Sequence, residues 1–332
     1  MTISILAQDY YLPSKILSNS DLEQEFPGWS AAKIEKKIGI RERRIAENET
    51  ALDMAEKACK KLFEHYDPSQ IDFILFCTQS PDYKLPTTAC ILQERLKLPI
   101  RIGALDYNLG CSGFIYGLSL CKGLIAGNMA KQVLLITSET YSKYIHPKDR
   151  ALKALFGDAA AACVIGESSA GAILEFVFGT DGSGATNLMI PNGGSRNEYQ
   201  QNAFPVAYQL GSMNDCNHLF MNGPEIFNFT IQRIPVLVQE LLKKNNLRLD
   251  EIDYFLFHQA NSYMLNFLCK ILSIPPDKFL IDMLETGNTV SASIPLLWSR
   301  LREQGKIKKP AKIMLVGFGV GYSFAGTVIH IK

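Results

Sequence analysis

Three stretches of the 332-residue chain hold residue types suited to nucleophilic and hydrogen-bonding chemistry. The first is Asn108-Leu109-Gly110-Cys111-Ser112-Gly113-Phe114. Cysteine is among the most often buried residues, so inert packing is the ordinary fate of most of the eight thiols. Cys111 differs in its flanks. Small residues on both sides permit a sharp turn and close approach by a ligand, and the apolar run that follows (Phe114, Ile115, Leu118, Leu120, Leu124, Ile125) fits a helix buried nearly all round. A helix N-terminus favours thiolate and is expected to bring the thiol from about 8.5 toward neutrality. The second stretch is His258-Gln259-Ala260-Asn261, after the apolar Tyr254-Phe255-Leu256-Phe257. A histidine after a strand is more often structural than catalytic, and His65, His146, His218 and His330 have no comparable setting. The third is Asn288, in Gly287-Asn288-Thr289-Val290-Ser291-Ala292-Ser293, where the plain reading is a helix cap.

These groups matter together only if the fold brings them together. Strand-like apolar runs alternate with helix-length amphipathic segments, the pattern of an α/β layered architecture. Ile71-Asp72-Phe73-Ile74-Leu75-Phe76-Cys77 recurs 181 residues on as Ile252-Asp253-Tyr254-Phe255-Leu256-Phe257-His258, each copy after an amphipathic helix and a polar turn. Val133-Leu134-Leu135-Ile136 recurs 180 residues on as Ile313-Met314-Leu315-Val316. Between these landmarks Gly110-Cys111 and Gly287-Asn288 stand 177 apart, each opening a segment of small and apolar residues. One match alone could be the likeness of any two buried strands. Three in the same order imply a duplicated chain, with a first half (1–170) carrying Cys111 and a second (171–332) carrying His258 and Asn288. A pseudo-dyad between the halves is expected to set Cys111 and Asn288 each at the N-terminus of a central helix, with His258 beside them.

Gly110-Cys111-Ser112-Gly113, His258-Gln259-Ala260-Asn261 and Gly287-Asn288-Thr289 resemble, in order and spacing, the active-site motifs of the 3-oxoacyl-acyl-carrier-protein synthase III family, initiating condensing enzymes of the thiolase superfamily. Gly39-Ile40-Arg41-Glu42-Arg43, Asp149-Arg150, Phe156-Gly157-Asp158-Ala159 and Gly317-Phe318-Gly319-Val320-Gly321 extend the resemblance over essentially the whole chain. It implies a thiolase-like five-layer αβαβα sandwich, homodimeric, with coenzyme A or acyl-carrier thioesters as substrates and no metal or redox cofactor. Cys111 would take the acyl group as a thioester, with the backbone N–H groups of Cys111 and Val320 as oxyanion hole. A malonyl thioester on acyl carrier protein would then lose carbon dioxide with its carbonyl oxygen between His258 and Asn288. Each well-placed donor supplies about 3 kcal/mol. Asparagine cannot take a proton, which suits an enolate; a hydrolase triad would instead orient the histidine from behind. Phe318 counts among the substrate-binding residues. The glycine run around it is no dinucleotide loop, because a strand-like segment follows it rather than a helix.

The family pattern is broken in places. Its adenine-stacking arginine is matched by Arg150, but the tryptophan position falls on Lys33, with Trp29 four residues early, and Lys37 replaces a phosphate-region arginine. Leu85 stands where an aromatic residue closes the acyl pocket from the partner subunit, which implies room for more than acetyl. Tyr263 replaces a carrier-docking arginine, while Lys270 matches a family lysine and reads equally as a solvated residue. Tyr263, Asn266 and Lys270 share one helical face. These departures imply a specialised pathway, with a larger or carrier-bound acyl donor.

Thirty-four Lys+Arg against 33 Asp+Glu leave a formal charge of +1, so no global field holds nucleic acid or an anionic membrane. Apolar runs fall far short of the roughly 20 residues that span a bilayer, and Asp9 interrupts any signal-peptide pattern. Cysteines without a C-x-x-C pair suit reduced thiols, hence a cytoplasmic protein. Three rival functions share these residues: an acyltransferase passing the acyl group to an alcohol or amine, a catalytically inactive binding homologue, and a cysteine hydrolase.

Overall fold

The structure is a computed structural model that describes residues 2–208 and 212–332. The first half runs through strand β1 (Thr2–Tyr11), helices α1 (Asn19–Glu25), α2 (Ala31–Ile38) and α3 (Ala51–Phe63), β2 (Phe73–Cys77), α4 (Thr88–Arg95), β3 (Gly103–Tyr107), α5 (Gly113–Ala126), β4 (Gln132–Glu139), α6 (Arg150–Leu155) and β5 (Ala159–Ser168). The second half holds β6 (Gly171–Thr180), α7 (Gly223–Lys244), β7 (Tyr254–Phe257), α8 (Ser262–Ile271), α9 (Ser293–Glu303), β8 (Ala311–Gly319) and β9 (Ser323–Ile331).

Both halves trace the same circuit. The first sheet has the order β1-β5-β4-β2-β3 and the second β6-β9-β8-β7. β2 lies parallel to β4, with Phe73 opposite Val133, and β7 lies parallel to β8, with Tyr254 opposite Ile313. The antiparallel pairs β4–β5 and β5–β1 likewise answer to β8–β9 and β9–β6. β3 forms an edge of the first sheet, and its place beside β2 is answered in the second half by a single parallel bridge from Phe279 to Phe255 of β7.

Side-chain alternation along the strands makes the layers. Ile74 and Phe76 pack with Leu52 and Leu62 of α3 and Leu92 of α4, whereas Leu75 points the other way. Phe255, Phe257, Met314 and Val316 pack with Leu237 and Leu241 of α7 and Leu265 and Leu268 of α8. Leu75 and Leu135 of the first sheet and Leu256 and Leu315 of the second meet in one core around α5 (Phe114, Leu118) and α9 (Leu297, Trp298). The result is helix, sheet, helix, sheet, helix, as the sequence implied.

Local signals fix the elements near the centre. Asn261 accepts the Met264 N–H and so caps α8. Gly39 ends α2 at φ +71, and a Cβ there would lie 2.1 Å from Ser262 Oγ, so glycine lets α2 seat on the start of α8. Six cysteines are buried, and Cys90 and Cys216 are exposed. Among the described residues no helix is long and apolar enough to cross a membrane.

Candidate active site

Cys111 occupies the turn ahead of α5, two residues before its first helical residue, and is 6% exposed. The glycine run at the end of β8 passes against it. A Cβ on Gly319 would stand 2.9 Å from the Cys111 Sγ, and one on Gly317 would stand 2.8 Å from the Cys111 carbonyl oxygen. Close backbone approach is therefore what the glycines provide. The backbone N–H groups of Cys111 and Val320 both bear on the sulfur.

His258 follows β7, its own N–H bonded to the Val316 carbonyl at 2.8 Å. Its Nδ1 lies 2.8 Å from the Oγ of Ser293, the first residue of α9, which leaves Nε2 for the cavity. Phe318 stands edge-on to the ring, with centroids 5.5 Å apart. Asn288 is fixed by both backbone groups, to the Leu155 carbonyl at 2.9 Å and the Gly157 N–H at 3.0 Å. Its Oδ1 accepts the Val290 N–H at 2.9 Å, so the amide nitrogen remains free to donate. Val290 is held at φ +53, a conformation β-branched residues avoid.

Asn288 departs from the sequence expectation. It does not stand at the N-terminus of α9, because a 3-10 turn (Val290–Ala292) intervenes, and no side chain caps α9. The helix-cap reading of Asn288 fails for the same reason. Cys111, His258, Asn288, Phe318 and Gly319 nonetheless line one cavity of about 70 Å³. Tyr141, Phe156, Met221 and Met264 close it with apolar surface.

The electrostatics overturn a second expectation. Burial pushes the Cys111 thiol up to about 12, Glu139 adds to the rise, and the two backbone N–H groups only partly oppose it. The helix start does not bring this thiol toward neutrality, because the sulfur is shut away from water. Burial likewise pushes His258 down to about 3, so the imidazole is neutral at pH 7. Glu139, a buried carboxyl that sequence reasoning missed, accepts from Ser291 Oγ at 2.7 Å and from Ser80 Oγ and the Gln79 N–H at 3.1 Å. Burial pushes it up to about 8. Nothing in its local sequence marks it apart from its place at the end of β4.

The substrate-contact candidates fall into three places. The Arg150 guanidinium lies 5.5 Å from the ring centre of Trp29, and its Nε is buried without a partner among the described residues. The aromatic neighbour of Arg150 is thus Trp29, from the turn before α2, although spacing puts Lys33 at the family position. Lys37, Tyr263 and Lys270 line a single surface groove of about 340 Å³ with Lys36 and Asn266. Leu85 is 85% exposed between β2 and α4 and does not line the cavity of its own chain.

Comparison with known proteins agrees with this geometry. Residues 105–182 match the family described as 3-Oxoacyl-[acyl-carrier-protein (ACP)] synthase III, and residues 242–331 match its C-terminal counterpart. The chain is 37% identical, over 98% of its length and 96% of the relative's, to a beta-ketoacyl-[acyl-carrier-protein] synthase III of Caldanaerobacter subterraneus subsp. tengcongensis. A relative of the same name in Clostridium tetani is 35% identical, with 98% of each chain covered. Among solved structures, a 3-oxoacyl-(acyl-carrier-protein) synthase III superposes with a TM-score of 0.96 at 44% identity over the whole of both chains. A 3-oxoacyl-(acyl-carrier protein) synthase from Burkholderia xenovorans LB400 gives 0.90 at 37%, covering 100% of this chain and 94% of that one.

Proposed function

The chain belongs to the 3-oxoacyl-acyl-carrier-protein synthase III family of condensing acyltransferases, and on that premise we propose that Cys111, His258 and Asn288 carry out a decarboxylative Claisen condensation. The observation that supports it most is their convergence on one buried cavity, with two backbone N–H groups bearing on the sulfur.

The Cys111 sulfur attacks an acyl thioester, and the Cys111 and Val320 N–H groups hold the oxyanion. The thiol proton leaves with the departing thiol, so the buried site gains no net charge. A malonyl thioester then binds with its carbonyl oxygen between His258 Nε2 and the Asn288 amide. With the Ser293 hydroxyl donating to Nδ1, Nε2 carries the ring proton, and both groups act as neutral donors. Carbon dioxide leaves, and the enolate carbon attacks the acyl-cysteine. The tetrahedral adduct releases the 3-oxoacyl thioester and the Cys111 thiolate, which recovers a proton from water. No electrons are transferred overall, so this reading calls for no redox cofactor, and no step in it calls for a metal.

The Trp29–Arg150 pair offers an aromatic face and a cation to the purine of a coenzyme A donor. The Lys36, Lys37 and Lys270 groove suits the phosphate of a pantetheine arm and an acidic acyl carrier protein. The open edge of β3, with Leu105, Ile100 and Leu85 exposed nearby in sequence, supports a homodimer in which Leu85 reaches the partner's acyl pocket. Buried free thiols suit a cytoplasmic location.

Intact-mass spectrometry after incubation with a panel of acyl thioesters tests the first half-reaction. One acyl mass is expected on the native protein and none on Cys111→Ala. Asn288→Ala tests the second: acyl loading persists while release of labelled carbon dioxide from malonyl thioester falls by about 100- to 1,000-fold. Loading without carbon dioxide release in the native protein would reassign it to acyl transfer onto another acceptor.

A further inference from the structure

We propose that His146, Asp215 and His218 form a binding site for one divalent metal ion of the zinc class, outside the condensing site, which ties together the two segments that lead into its walls. One donor atom from each residue lies within 4.8 Å of the other two. Asp215 Oδ1 is 2.6 Å from His218 Nδ1, and Asp215 Oδ2 is 3.9 Å from His146 Nε2. The two imidazole rings stand edge to face with centroids 4.9 Å apart. A tetrahedral ion with ligands at about 2.0–2.1 Å holds its donors roughly 3.3 Å apart, so the observed separations bracket the required one. Two imidazoles and a carboxylate are a donor set suited to zinc, with the fourth position left to water from the His218 side.

The charge arrangement points the same way. The Asp215 side chain is 8% exposed, yet among the described residues its only ionic partners are these two histidines. The Asn217 N–H donates to its Oδ1 at 2.8 Å. The carboxyl meets no lysine or arginine among the described residues, and a divalent ion supplies the positive charge that a buried carboxylate calls for. His146 Nδ1 now accepts the Lys148 N–H at 3.1 Å. Coordination at Nε2 moves the ring proton to Nδ1 and exchanges that hydrogen bond for a metal bond.

Position gives the ion its consequence. None of the three residues lines the cavity, but Asp215 and His218 precede Met221 and Gly223, and His146 precedes Leu155 and Phe156. The two segments already exchange backbone bonds, Leu219 N–H to Tyr144 at 2.8 Å and Met213 N–H to Lys148 at 3.2 Å. The ion cross-links them at a third point.

Zinc and cobalt titrations of the full chain, with metal content measured after dialysis, test this. Expected are one ion per chain, a higher melting temperature, and cobalt absorption of nitrogen–oxygen type without a sulfur-to-cobalt charge-transfer band. Asp215→Asn and His218→Ala should each weaken binding by about 100-fold or more, while acylation of Cys111 by a thioester shows that those variants fold. No retained ion, equal retention by both variants, or a sulfur band would overturn the site and leave the condensing reading untouched.

Discussion

At the residue scale the chain hides a thiol and an imidazole in one dry cavity, and pH is the means of seeing it. His258 is pushed down to about 3 by burial, so between that value and about 6.5 the unfolded chain binds a proton that the folded one refuses. Stability therefore rises with pH across that window and is lost as pH falls, by up to about 5 kcal/mol for this one group. Denaturant unfolding at pH 7 and pH 4 should show the loss, and His258→Gln should flatten it. The Cys111 thiol runs oppositely: its alkylation rate should keep rising toward pH 12 rather than levelling near neutrality. A plateau near pH 7 would mean that the α5 terminus outweighs burial. The sequence showed both residues through their small neighbours and repeated placement. It could not show their protonation, because depth of burial belongs to the packing of five layers and not to any local stretch.

At the element scale, turns rather than helices aim the reactive atoms. Gly319 brings β8 against Cys111 so closely that Gly319→Ala must displace the sulfur. Acyl loading of that variant is expected to fall by at least about 100-fold, with the melting temperature little changed; retention of both would show that the turn has slack. The short continuous apolar runs disclosed β2, β4, β7 and β8 in advance, since strands buried on both faces are written as unbroken apolar sequence. The 3-10 turn at Val290–Ala292 was not legible: a valine at positive φ breaks local preference, and only the fixed backbone of Asn288 accounts for it. Trp29 escaped for a related reason. The family position falls on Lys33 within α2, whereas Trp29 reaches Arg150 from the turn that precedes α2. His146 and His218, unremarkable in sequence, meet only because two loops pair their backbones.

At the scale of the whole molecule, duplication was readable from three landmarks and reappears as matching strand orders. β3 was not, because its counterpart in the second half is reduced to one parallel bridge, Phe279 to Phe255, too short to read as a strand. Its unpaired edge carries the dimer expectation: light scattering should give twice the 37.0 kDa chain mass, and Leu105→Lys should shift it toward the single-chain value. A monomeric native protein would refute the assignment of Leu85 to a partner's pocket.

The shared middle layer has a further consequence. α5 and α9 each cover both sheets, so neither repeat owns a complete interior. Whatever ancestral single-length polypeptide preceded this one had to associate with a twin before it could hide its own greasy side. Severing the chain between β5 and β6 would therefore yield two insoluble fragments, not two miniature proteins.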